Sequence, residues 1–149
     1  MTDTVNVVAP VPGKVMALAD VPDPVFAQQI VGSGVAIDPE RTPGTAVSPV
    51  AGRLLKLHPH AFVVLTAAGQ GVLVHLGIDT VQLDGEGFEL VAAEGDELDS
   101  GDPIVRWDPA AVEAGGRSPI VPVVVMDTAA DTVSASAIDS TVEIGDPLF

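Results

Sequence analysis

Val8-Ala9-Pro10-Val11-Pro12-Gly13-Lys14-Val15-Met16-Ala17-Leu18 runs in step with Val47-Ser48-Pro49-Val50-Ala51-Gly52-Arg53-Leu54-Leu55-Lys56-Leu57. The leading valines, the prolines, the glycines and the closing leucines coincide, and Lys14 falls on Arg53. Each copy is a proline-and-glycine turn feeding an apolar run, which is how a strand begins. A second echo sets Gly101-Asp102-Pro103-Ile104 against Gly145-Asp146-Pro147-Leu148. Strand-turn units used twice point to an all-β body of two sheets with internal pseudo-symmetry.

Working outward from the repeat, β-branched runs between turn signals place strands near 13–18, 34–37, 45–48, 52–57, 61–66, 71–76, 88–91, 103–106, 121–126 and 140–144. Two short helices are expected. One covers 24–31. The other covers 108–114, with Asp108 as N-cap, Pro109 in the first turn and Gly115 as its stop. The fold class is therefore an antiparallel β-sandwich or barrel with strand duplication and one or two short helices. Pro-rich strands cannot all be central, so edges and bulges are expected.

Composition agrees. Of 149 residues, 47% are hydrophobic but only 3% aromatic, so valine, alanine and leucine must fill the core. The 15 glycines and 13 prolines are spread along the chain as turn punctuation, with no linker-like cluster. The length suggests one domain, drawn here as 8–149 after a short tail at 1–7, and a separate polypeptide rather than a fused module. There is no cysteine, which excludes disulfides and thiolate catalysis on this chain. No apolar run approaches the roughly 20 residues that span a bilayer, and the N-terminus does not read as a signal peptide. A cytoplasmic location is the expectation. The net charge of −15 repels phosphate backbones and anionic membranes, so neither nucleic acid nor membrane insertion is expected. It would steer a basic protein partner inward.

The three histidines, His58, His60 and His75, fall on two neighbouring expected strands. The strands at 61–66 and 71–76 are joined by a hairpin-like loop. Centred between Ala67 and Ala68, that hairpin pairs position 60 with position 75 and sets the two imidazoles side by side. In Gly71-Val72-Leu73-Val74-His75-Leu76-Gly77, the two-residue period puts Leu73, His75 and Gly77 on one face. Val72, Val74 and Leu76 point to the core. Gly77 would leave room for something bulky beside His75. A buried structural histidine and a functional pair both account for these residues at this point. Gly32-Ser33-Gly34 is expected to be a turn and not a phosphate loop, since no lysine follows and no long helix opens.

Val74-His75-Leu76-Gly77-Ile78-Asp79-Thr80-Val81 resembles the phosphorylation segment of the glucose-type IIA domains of the bacterial sugar phosphotransferase system. His60-Ala61-Phe62 is similar to that family's second active-site histidine segment, and Val21-Pro22-Asp23-Pro24-Val25-Phe26-Ala27 to its early motif. Gly85-Glu86-Gly87-Phe88 and Glu94-Gly95-Asp96 follow in family order. The resemblance implies a β-sandwich with a shallow apolar depression around two histidines. It implies that His75 takes a phosphoryl group from the histidine phosphocarrier protein. His75 then passes it to a cysteine of the IIB domain of a sugar-specific IIB/IIC permease, with His60 on the phosphoryl oxygens. Val25, Val31, Leu73 and Val81 would form the apolar centre of the partner contact and Asp79 its acidic rim. No cofactor is required; a zinc shared by His60, His75 and a partner carboxylate would be regulatory. Two departures stand out. His58 lies where relatives often carry a hydroxyl, and Lys56 where they often carry an apolar rim residue. A regulator read through His75 phosphorylation is one alternative. A zinc hydrolase using His58, His60, His75 and Asp79 is another, although related zinc peptidases use these patterns in the opposite chain order.

Overall fold

The turn-strand repeat becomes the frame of the molecule. The computed structural model describes residues 6–130, 132–133 and 136–149. Among them the chain forms β1 (Gly13–Ala17), α1 (Pro24–Ala27), β2 (Gly32–Pro39), β3 (Gly44–Val47), β4 (Gly52–His58), β5 (Ala61–Leu65) and β6 (Gly71–His75). It continues through β7 (Phe88–Leu90), β8 (Glu97–Leu98), β9 (Pro103–Trp107), α2 (Pro109–Ala114), β10 (Val121–Met126) and β11 (Thr141–Val142). Two 3-10 turns cover Leu18–Asp20 and Thr80–Leu83.

Eight strands form one antiparallel sheet in the order β11-β1-β2-β10-β6-β5-β4-β8, and β3-β9-β7 form the second. The duplication is visible in the order itself: β1 and β4, the two repeat strands, sit one place in from opposite edges. The matching turns are bonded alike. Ala9 N–H donates to Asp146 O, and Ser48 N–H to Asp102 O, both at 2.8 Å. The Asp146 and Asp102 carboxylates accept from Glu143 N–H and Asp99 N–H, again both at 2.8 Å. Gly145 and Gly101, both at positive φ, precede them.

The main core lies between the sheets, where Val15, Val35, Val64, Val72, Val74 and Val123 meet Ile104, Val105 and Trp107. Branched side chains thus replace aromatics as filling. On the opposite face of the large sheet a second cluster gathers Leu18, Val21, Phe26, Ala36, Ile78 and Val124. It is the floor on which the histidines stand. Residues 1–5 of the expected tail lie outside the described residues. Val7 is buried, receiving Leu148 N–H on its carbonyl and giving its own N–H to Phe149 O, both at 2.8 Å.

Local departures have local causes. Gly32-Ser33-Gly34 is not a turn but the start of β2, its glycines lying close against the β10 backbone at Val125 and Val123. The helix expected over 24–31 ends at Ala27, because Gln29 takes a left-handed φ of 56° and Ile30 N–H folds back to Val25 O. The hairpin register differs by one. Ala61 pairs with His75 and Leu65 with Gly71, which centres the loop on Ala68. Thr66 leaves the strand to close an odd-numbered loop, its N–H donating to Gln70 O and its carbonyl receiving Gly69 N–H, both at 2.9 Å. The helix at α2 has the expected ends: the Asp108 carboxylate accepts Ala110 N–H and Gly115 caps it.

Candidate functional site

His75 is the last residue of β6, where the sheet ends and the chain turns over the second apolar cluster. Val72, Val74 and Leu76 are fully buried while Leu73 and His75 are half-buried on the other face, as the two-residue period requires. Gly77 then takes φ +85°, a left-handed conformation that turns its carbonyl back onto the ring. His75 Nδ1–H donates to that carbonyl at 2.5 Å. A proton held on Nδ1 leaves Nε2 as the lone-pair nitrogen.

Gly77 does not leave the space expected of it. A Cβ there would stand 2.6 Å from Thr80 Cγ2 and 3.0 Å from Ser118 O. Its role is backbone conformation in a closely packed turn. Around it, the buried Thr80 hydroxyl donates to Leu76 O at 2.8 Å and Ile78 N–H donates to Ser118 O at 2.8 Å.

His60 reaches His75 by a different route from direct pairing. It lies in the two-residue turn Pro59-His60 between β4 and β5, whose ends His58 and Ala61 pair. Leu76 N–H donates to His60 O at 2.7 Å, one step past the last strand pair. A residue in a turn is released from strand alternation, so its ring can swing to its neighbour. The His60 and His75 centroids are 5.2 Å apart, edge to face at 70°. His58 stacks on His60, at 5.8 Å and 25°. Phe26, from α1, lies against His75 at 5.3 Å. Sequence reasoning missed Phe26, because one aromatic among valines and alanines reads as core.

Electrostatics favour neutral rings. Burial pushes the His75 pKa down from its ordinary value, partly opposed by the Gly77 hydrogen bond, Asp23 and Asp79. The His60 pKa is also lowered, first by burial and then by the neighbouring imidazoles of His75 and His58. Both rings are therefore poised as bases at neutral pH.

Of the expected contact residues, Val25 and Val81 are exposed, at 43% and 57%, while Val31 and Leu73 are half-buried against the second cluster. Asp79 is exposed, at a left-handed φ of 59°. Ile30, not expected from sequence, is 67% exposed just beyond Val25. Among the described residues no group of three or more His, Cys, Asp or Glu is placed to hold a metal. The four-ligand hydrolase arrangement is therefore not assembled by this fold.

The β-sandwich thus presents two contacting imidazoles at a strand end, one with its Nδ1–H fixed by a backbone carbonyl. Residues 5–130 match the family described as phosphoenolpyruvate-dependent sugar phosphotransferase system, EIIA 1, and the chain belongs to that family. The glucose-specific EIIA component of Staphylococcus aureus is 43% identical over 126 residues, spanning 83% of this chain and 75% of the relative. The corresponding component of Staphylococcus epidermidis is 39% identical over the same shares. Among solved structures, glucose permease IIA from Mycoplasma capricolum superposes with a TM-score of 0.85 at 31% identity, covering 99% of this chain and 95% of that one. The chain is thus a glucose-type EIIA component, a part of a sugar phosphotransferase system that works with its other components. No helix among the described residues is long and apolar enough to cross a membrane.

Proposed function

We propose that His75 is the phosphoryl-carrying residue, loaded from the phosphohistidine of the histidine phosphocarrier protein and unloaded onto a cysteine of a sugar-specific IIB domain. The observation that carries this reading is the hydrogen bond from His75 Nδ1–H to Gly77 O, which reserves Nε2 for attack. In loading, the Nε2 lone pair bonds to phosphorus as the donor's N–P bond breaks, the bonding pair remaining on the donor's ring nitrogen. In unloading, the cysteine thiolate bonds to phosphorus and the His75 N–P pair returns to Nε2. One phosphoryl group moves and nothing is oxidised or reduced.

The transition state for such a transfer is loose, so positioning and charge stabilisation matter more than acid–base work. The half-buried His75 is held by Gly77 on one side and Phe26 on another. His60, whose ring centroid lies 5.2 Å from that of His75, donates to the phosphoryl oxygens in this reading. A dianion arriving there would raise the pKa of His60 and favour its taking up a proton from solvent, which strengthens that bond. Val25, Val31, Leu73 and Val81 form the apolar centre of the docking surface, with Asp79 meeting a basic group of the partner. A carboxylate from a docked partner, added to His60 and His75, would make a three-ligand zinc site that switches transfer off.

The test is phosphoryl transfer from phosphoenolpyruvate through the first enzyme of the system and its carrier protein. Wild type is expected to take up one phosphate at His75, located by mass spectrometry under alkaline conditions, and His75→Ala none. Label on the wild type at any other residue would overturn the assignment.

A further inference from the structure

Past the turn that follows His75, a polar cleft of about 440 Å³ opens between the 3-10 turn Thr80–Leu83 and the loop after α2. Ile78 and Asp79 form one wall; Gln82 and Arg117 form another. The cleft wall packs on the turn that holds His75: Ile78 N–H is bonded to Ser118 O, and Gly77 lies against the same carbonyl.

Arg117 has an unfinished bonding pattern. It is one of six basic side chains in a chain of net charge −15. Arg41 bonds Asp38 and Glu113, and Arg106 pairs with Glu89, but Arg117 makes no ion pair among the described residues. Its Nη2–H donates to Gln82 Oε1 at 3.2 Å, a long bond to a neutral acceptor. Its Nε is buried with no hydrogen-bond partner among the described residues. A buried donor left unpaired costs its desolvation energy, and such groups call for an explanation. The Nε/Nη2 edge of a guanidinium is the edge that takes a carboxylate in bidentate fashion. Here one half of that edge is empty and the other is held by an amide.

We infer that Arg117 is a docking residue for a carboxylate side chain presented by the protein that exchanges phosphate with His75. The inference rests on the carrier reading above. The partner's carboxylate displaces Gln82 from Nη2, accepts from Nε as well, and seats the partner against the rim at Asp79. A free phosphate fits less well, since the Asp79 carboxylate shares the cleft and the whole chain repels a dianion. Neither the guanidinium nor Gln82 touches the reacting atoms, so the effect belongs to docking and not to chemistry.

Two variants test this, Arg117→Gln and Gln82→Glu. The second supplies a carboxylate internally and occupies Arg117 without removing it. Each makes the protein one charge more negative, so long-range steering of a basic partner predicts an unchanged or lower KM. The proposed contact predicts the opposite: KM for the donor carrier, the acceptor IIB domain or both rises about tenfold in each variant, at unchanged kcat, the worth of one charge-assisted hydrogen bond. The two changes combined give little more than either alone. In the wild type, adding that partner shifts the Arg117 Nε–H resonance, and inorganic phosphate at millimolar concentration does not. Unchanged KM for both partners in both variants, with normal transfer, overturns this inference alone. A shift with phosphate alone overturns it in favour of a free-anion site. No transfer to the wild type overturns the carrier reading and this inference with it.

Discussion

The two halves of the large sheet share a plan and differ in what they insert into it. In the first, residues 18–31 run between β1 and β2, carrying a 3-10 turn and α1. In the second, only Pro59 and His60 separate β4 from β5. The long connection folds over the sheet and delivers Phe26 and the exposed Val25 and Ile30. The short one holds His60 against the end of β6, where His75 waits. One half therefore supplies apolar surface and the other supplies imidazoles, and the site exists only where they meet. Duplication built the frame; asymmetry in one connection made it chemical.

Three changes probe that division. The largest effect is expected in the second half. His60→Ala should lower phosphoryl transfer on the order of 100-fold in both directions while leaving thermal unfolding nearly unmoved, since a turn residue of this kind carries little packing. Full transfer rates in the variant would remove His60 from the mechanism. In the first half, Gly13→Ala should do the reverse. A Cβ at Gly13 would stand 2.2 Å from Asp38 O, so β1 and β2 must shift. We expect a stability loss of about 2 kcal/mol in denaturant unfolding, with the transfer rate of the folded protein unchanged. A stable variant with impaired transfer would show that the halves are not separable in this way.

The smallest effect is in pH dependence. The neutral ring is the nucleophile, and burial lowers the His75 pKa below the ordinary 6.5. The loading rate should therefore hold level from pH 8 to 6.5, losing less than twofold, and fall only below that. The same shift has a consequence for stability. Between the two pKa values the unfolded chain binds the extra proton, so this contribution is intact above 6.5 and is lost as pH falls through the folded value. A loading rate already halved at pH 6.5 or above would mean that burial does not lower the pKa of His75, and would count against the apolar half as its floor.

Much of this was legible in the chain. The Val8–Leu18 and Val47–Leu57 repeat fixes β1 and β4, and the two Gly-Asp-Pro turns are bonded alike, because turn chemistry depends on adjacent residues. The ends of α2 follow from Asp108, Pro109 and Gly115 for the same reason. His75 facing away from Val74 follows from strand period alone. What escaped depends on non-local geometry. Glu97–Leu98 makes a strand without β-branched residues, held by β4 alone. The hairpin slipped by one because Thr66 chose the loop, yet His60 reached His75 because a turn frees its ring. Gly77 looked like open space and proved to be a tightly packed left-handed hinge. Arg117, in Gly115-Gly116-Arg117-Ser118, reads as loop until the fold brings Gln82 beside it.

The central claim is that the Gly77 carbonyl chooses the nitrogen that carries phosphate. Long-range proton–nitrogen NMR of His75, before and after phosphorylation, tests it most directly. The account predicts a proton on Nδ1 in the free protein and phosphorus on Nε2 in the phosphorylated one. Phosphate on Nδ1 would contradict it, because that nitrogen is the one the fold has already committed to a hydrogen bond.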